Sequence, residues 1–219
     1  MPIYKKVNRD FFKKWTREMA YVLGFFMADG NMVINKRNGR FISFYSADED
    51  ILFMIKNAMG SDHKLSKRIR DNSFRFQIGS NDMFNDLCLL GVTPNKSKRM
   101  KIPKIPNKFI GDFVRGYFDG DGNIWSGLMN RSRSNPTRVL QVAFTSGCED
   151  FLNDLRVILH KKGLKGGSVF KVKNKQCHRL LFSTTDALKL HKIMYNMPHK
   201  LHLRRKKLVF ERFINAVVA

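Results

Sequence analysis

Asp29 and Asp121 are the residues of this 219-residue chain whose placement asks for chemistry. Each ends an apolar segment and is followed by glycine, in VLGFFMADGN (22–31) and VRGYFDGDGN (114–123). Both segments read as helices that stop at Gly30 and Gly122, because glycine accepts the left-handed conformation past a helix end. An aspartate at that end meets the negative pole of the helix dipole, at a cost of about 0.3–1 kcal/mol per carboxylate. Bringing two such carboxylates together costs more, or makes one take up a proton. Divalent cations relieve both penalties. Magnesium accepts a few carboxylate oxygens, keeps waters and completes its shell with phosphate oxygens. Paired metals of this kind activate a water and stabilise the leaving oxygen of a phosphodiester. Either segment alone also reads as a solvated Asp-Gly turn; the doubling favours the chemical reading. A calcium loop is excluded for DGDGN (119–123), since the sixth and twelfth positions, which require Gly and Glu, hold Ile124 and Asn130.

The two helices also carry small residues four apart, Gly24 with Ala28 and Gly116 with Gly120. That spacing puts each pair on one helix face. A bare stripe lets two helices approach more closely than the usual ~8–10 Å. Packed about a pseudo-twofold axis through this stripe, the helices bring Asp29 and Asp121 side by side.

The elements that must position these acids are themselves duplicated. After the two helical segments, FYSADEDIL (44–52) returns as FTSGCEDFL (144–152), and FQIGSND (76–82) as LLFSTTD (180–186). The order is kept and the separation between copies widens slowly, as small insertions in the second copy produce. Each copy reads as helix (16–29; 107–121), two strands (32–34 and 40–45; 124–126 and 138–145), helix (48–59; 149–161), two strands (64–70 and 73–78; 168–173 and 178–183) and helix (82–90; 186–195), with a basic helix over 203–217 closing the chain. The pattern is αββαββα twice, an α+β fold with antiparallel sheets, divided into repeats 1–105 and 106–219.

Charge names the class of partner. Forty-one Lys and Arg against 18 Asp and Glu give +23, with 43% hydrophobic residues to build a core. A compact body so charged repels itself unless a polyanion offsets it, and nucleic acid is the first candidate. The longest apolar run, 21–28, is too short to span a bilayer, and the basic N-terminus lacks the apolar stretch of a secretory signal. Cys88, Cys148 and Cys177 form no CxxC pair and read as incidental thiols in a reducing, intracellular compartment.

VLGFFMADG and VRGYFDGDG resemble the two motifs of the LAGLIDADG homing endonucleases, in their single-chain, two-motif form, and the flanking elements extend the resemblance over residues 16 to 215. The resemblance implies a monomeric, site-specific nuclease of intron-mobility type that cuts both strands of a long, asymmetric double-stranded DNA site. It implies that Asp29 and Asp121 are the metal-binding catalytic acids, one per strand, helped by the carbonyls of Ala28 and Gly120. The expected cofactor is Mg2+, as two or three divalent cations, with Mn2+ substituting and Ca2+ binding without cleavage. The family also carries basic residues around its solvent pocket; Lys96 and Lys206 are the candidates here, with Lys98, Arg205 and Lys207 as rivals. Met27 departs from the motif where the second copy has Asp119, a position that is not the family's metal ligand. Asp48 and Cys148 take equivalent places after the second strand of each copy, where Asp48 could order water. Two rivals share the fold: an RNA-binding intron maturase and a catalytically inactive DNA-binding protein. Retention of both acids favours cleavage over either.

Period-two patterning nominates the residues that would face a DNA groove. Paired sheets would form a basic saddle whose ribbons enter the major groove. Ser43, Tyr45, Arg68, Arg70, Arg75 and Gln77 are expected on the first sheet, and Gln141, Lys171, Lys173 and Arg179 on the second. Arg and Lys suit guanine edges and Gln suits adenine.

Overall fold

The computed structural model describes residues 5–94, 99–130, 132 and 134–218. The chain runs through α1 (Arg17–Asp29), β1 (Gly30–Ile34), β2 (Arg40–Ser46), α2 (Glu49–Ala58), β3 (Leu65–Arg68), β4 (Ser73–Gly79) and α3 (Asn81–Leu89). It then repeats the order as α4 (Ile110–Asp121), β5 (Gly122–Met129), β6 (Thr137–Ser146), α5 (Glu149–Lys161), β7 (Ser168–Lys171), β8 (His178–Phe182) and α6 (Thr184–Tyr195), and ends in α7 (Arg204–Val218). The α+β fold expected from the duplication is present. Each copy makes one four-stranded antiparallel sheet, of order β1-β2-β4-β3 and β5-β6-β8-β7.

Local chemistry sets the element ends. Thr16 caps α1 by accepting from Met19 N at 3.0 Å, and Ser80 caps α3 by accepting from Met83 N at 3.3 Å. Four hairpin connections each hold an asparagine in the left-handed region: Asn38, Asn72, Asn130 and Asn174, at φ 58°, 47°, 55° and 59°. Asparagine tolerates that region because its short amide can bond locally. At Gly30 and Gly122 the expectation fails in detail. Their φ values are −93° and −85°, extended and not left-handed, because the chain passes straight from helix into strand. Glycine is required there for space: a Cβ would lie 2.4 Å from Phe26 O at Gly30, and 2.3 Å from Phe118 O at Gly122.

The register shows the duplication in three dimensions. Asn31 pairs with Ser43, and Ser43 with Gln77; in the second copy Asn123 pairs with Ala143, and Ala143 with Leu181. On the helix-facing side, Phe44 meets Phe26 at 5.0 Å and Phe76 at 5.7 Å between ring centroids. Phe144 meets Phe118 at 6.0 Å and Phe182 at 6.4 Å. α7 adds Phe210 against Phe118 at 5.9 Å. The helices therefore cover one face of each sheet and leave the other open. Among the described residues, no helix is long and apolar enough to cross a membrane.

Candidate catalytic centre and nucleic-acid interface

α1 and α4 cross with their backbones in contact. A Cβ at Gly24 would lie 2.1 Å from Phe113 O, and one at Gly116 would lie 2.0 Å from Tyr21 O. One turn further along, a Cβ at Gly120 would lie 2.4 Å from the Cβ of Ala28 and 3.4 Å from Asp29 Oδ2. So the small-residue stripe forms the crossing, and the Asp29 carboxylate lies beside the end of α4 that Asp121 closes. Both carboxylates raise the pKa of the buried Tyr117 hydroxyl, which burial already lifts well above the usual phenol value. Tyr117 sits in α4 and donates to Thr145 O at 2.7 Å. The two acids are thus near enough to act on one common group.

The crossing carries a polar network that spacing alone did not single out. Tyr21 donates to Asp119 Oδ2 at 2.6 Å across the helix pair, and Leu203 N donates to the same oxygen at 2.8 Å. Asp119 is 2% exposed, and burial lifts its pKa to about 6 against the pull of those two bonds. Arg115, also 2% exposed, donates to Leu201 O at 2.9 Å, to Met194 O, and to Asp112 Oδ1 at 2.7 Å. Its guanidinium lies 5.4 Å from the centre of the Tyr21 ring. These bonds tie the segment before α7 to the crossing. An arginine inside an apolar motif was the available signal, since such a residue needs buried acceptors.

Lys206 reaches the centre, where its contacts are with backbone carbonyls. It is buried, and its Nζ donates to Phe118 O, Asp119 O and Gly122 O at 2.7, 2.8 and 2.6 Å, with Gly120 O at 3.4 Å. These are carbonyls of the last turn of α4 and of the first residue of β5, and Phe118 O also accepts from Gly122 N, so the ammonium caps the helix that carries Asp121. Burial lowers its pKa to about 8, while Asp119, Asp29 and Asp121 pull upward. Lys96 and its rival Lys98 lie outside the described residues. Arg205 is committed elsewhere: it holds Asp48 through Nε at 3.1 and 3.2 Å and Nη2 at 2.8 Å. That pair holds the Asp48 carboxyl below its usual range and ties α7 to the start of α2. Lys207 lies 3.5 Å from Glu211. Cys148 donates to Met100 O at 3.5 Å.

The open sheet faces test the groove nominations by register. Ser43, Tyr45, Arg75 and Gln77 share the open face of the first sheet with Arg68, whose guanidinium lies 5.0 Å from the centre of the Tyr45 ring. Ser43 is 1% exposed, with its hydroxyl buried and unpartnered, so it packs beneath its neighbours on this face. Arg70 falls in the β3–β4 turn because β3 ends at Arg68. On the second sheet Gln141 and Arg179 share the open face. Lys171 does not: it pairs with His178, which pairs with Ser146, one residue out of phase with Arg179. Lys173 lies in the β7–β8 turn. Alternation was extended there past the true end of β7. Trp125 and Phe170 stand on the open face instead.

Comparison with known proteins agrees with this architecture. Residues 108–194 match a family model described as a LAGLIDADG-like domain. The fold superposes on I-SmaMI bound to an uncleaved DNA target in the presence of calcium ions, with TM-score 0.63 and 12% identity, covering 92% of this chain and 90% of that one. It superposes on the I-LtrWI LAGLIDADG homing endonuclease bound to target DNA with TM-score 0.60 and 13% identity, covering 95% and 90%. Among curated proteins, it is 25% identical over 207 residues to DNA-directed RNA polymerase subunit Rpo1C of Methanocaldococcus jannaschii, 91% of this chain and 21% of that protein. It is 29% identical over 107 residues to a probable translation initiation factor IF-2 of Thermococcus kodakarensis, 45% of this chain and 8% of that one. An uncharacterised protein of M. jannaschii is 25% identical over 116 residues, 50% of this chain and 40% of that one. The chain spans less than half the length of these curated relatives.

Proposed function

We propose that this chain, which carries a LAGLIDADG-like domain within the two-repeat fold of the LAGLIDADG homing endonucleases, is a site-specific DNA endonuclease. On this reading it cuts both strands of a long, asymmetric duplex site in a metal-dependent reaction and works as a monomer. The observation that carries the reading is the meeting of the Asp29-bearing and Asp121-bearing helix ends, in a chain of net charge +23.

Asp29 and Asp121, with the carbonyls of Ala28 and Gly120, would hold Mg2+. The donor set fits. The Asp29 carboxylate lies beside the end of α4 that Asp121 closes, and magnesium binds through one or two carboxylates with waters and substrate phosphate. When bound, the cation supplies Lewis-acid stabilisation of the phosphate and lowers the pKa of water. The chain's own residues supply position. The glycine crossing sets the separation of the acids, Lys206 fixes the end of α4, and the open faces hold the duplex. The two copies differ on those faces, so the site they read differs between halves.

The test is cleavage of a randomised duplex library in magnesium by the wild type, Asp29→Asn and Asp121→Asn. Recovery of one asymmetric site, cut by the wild type and only nicked or left whole by each variant, is expected. Selective binding without cutting by the wild type, in magnesium or manganese, would overturn the nuclease reading and leave a DNA-binding protein.

A further inference from the structure

We infer that the two sheets read their half-sites by different chemistry: the first by hydrogen bonds to base edges, the second by apolar contact with thymine methyl groups. This inference rests on the DNA-cutting reading above and adds to it the kind of sequence each half selects.

Corresponding positions on the two open faces carry the contrast. Where the first sheet has Gln77 and Ser66, the second has Leu181 and Phe170 at the same places in the register, while beneath them the buried Ser43 becomes Ala143. Val33 of the first sheet becomes the larger Trp125, and one place runs the other way, Phe41 against Gln141. Trp125 and Phe170 are 44% and 43% exposed, a large apolar exposure for a face beside so much positive charge. The indole is also shaped for contact. A Cβ at Gly127 would lie 2.5 Å from Trp125 Cζ2 and 2.9 Å from Cη2, so the ring lies along the strand over the bare glycine. A ring laid flat offers a platform, not a wedge to pry base steps apart. Val139 pairs with Gly127 and continues the platform on the next strand. Gln141 and Arg179 remain as polar readers on this face.

In the major groove the thymine 5-methyl is the apolar feature, and apolar side chains recognise it. The first face, with Arg68, Arg75 and Gln77, instead presents donors and acceptors suited to guanine and adenine edges. The charge of the chain commits both faces to a polyanionic occupant, which an apolar platform would not select by itself.

The experiment remakes the recovered site with deoxyuridine in place of thymidine, one half at a time, which removes the methyl and keeps the pairing. Binding is measured in calcium. The half facing the first sheet is identified as the one whose base preferences Arg75→Ala changes. In the other half, each contacted methyl removed should weaken binding roughly three- to fourfold, the value of burying one methyl-sized group. The first half should change little. Trp125→Ser should lose part of its affinity for the thymidine site while binding the deoxyuridine site as the wild type does. A second half indifferent to methyl loss, or equal loss in both halves, overturns this inference and leaves the endonuclease reading standing. Failure to select any site overturns both.

Discussion

A single methyl group at the helix crossing should be enough to part the two acids. In Gly116→Ala the new Cβ would lie 2.0 Å from Tyr21 O, 2.8 Å from Tyr21 C and 3.0 Å from Phe25 N. Ordinary contact between such atoms is near ~3.5 Å, so the helices must separate by at least about 1 Å. All three obstacles are backbone, so no side-chain rotation relieves them. Overpacking of this kind costs up to about 3 kcal/mol. Alanine returns about 1 kcal/mol through its better helix propensity, for a net loss of about 2 kcal/mol. Gly24→Ala, with Phe113 O at 2.1 Å and Tyr117 N at 2.9 Å, should behave alike. Urea unfolding reads the stability, through a lower midpoint at unchanged slope. Single-turnover cleavage reads the geometry, where a displacement of about 1 Å costs on the order of a hundredfold. An unchanged midpoint in either variant would refute the backbone-contact account. A lowered midpoint with unchanged cleavage would show that the crossing does not set the separation of Asp29 and Asp121.

Lys206→Met should destabilise the fold by about 1–3 kcal/mol, because it strips charge-assisted bonds from the buried end of α4, and it should slow cutting of one strand more than the other in a nicking assay. Arg115→Met should cost about 3–5 kcal/mol in thermal or urea unfolding, since it leaves Asp112 buried without its partner; replacing both Arg115 and Asp112 with apolar residues should cost less than Arg115→Met alone. Stability should also fall as pH drops from 6.5 toward 4. Burial, then the nearby His199, Lys207 and Arg115, lower the pKa of His202 to about 4, whereas the unfolded chain takes up that proton near 6.5. The unfolded state therefore binds more protons through that window. His191 and His199 are lowered too and act with the same sign. Asp119, raised to about 6, opposes them, because the folded state holds its proton between 3.8 and 6. His202→Asn should flatten the slope of unfolding free energy between pH 6.5 and 4, and an unchanged slope would remove His202 from the account.

What could be read in the chain was what repeats or alternates. The glycine spacing at 24/28 and 116/120 implied the crossing, because helical periodicity leaves little choice of face. Strand alternation put Tyr45, Arg75, Gln77, Gln141 and Arg179 on the face that the register leaves open, since each lies inside a strand with buried apolar neighbours that fix the parity. It misplaced Lys171 because β7 is short and ends there, leaving too few apolar anchors to set the phase. The role of Lys206 was hidden for another reason: a lysine in a basic run carries no local mark of the carbonyls it meets from a distant helix. The Arg205–Asp48 pair, 157 positions apart, is equally invisible to any short window.

The Tyr21–Asp119 bond also bears on the history of the two halves. By the repeat, Phe113 corresponds to Tyr21 and Met27 to Asp119. The helix pair therefore carries one polar couple and, at the mirrored positions, residues that are both apolar and buried. Two copies of the second half, paired with each other, would set each Asp119 against Phe113, leaving the carboxylate its bond from Leu203 N but not the one from a tyrosine hydroxyl. Two copies of the first half would leave the Tyr21 hydroxyl facing Met27. Both arrangements lose the buried bond, and the pairing of first halves also strands the Tyr21 hydroxyl, at about 1–3 kcal/mol for each occurrence. The tyrosine and the aspartate thus work as a one-way ratchet: whatever symmetric ancestor the duplication came from, neither half is now fit to return to it.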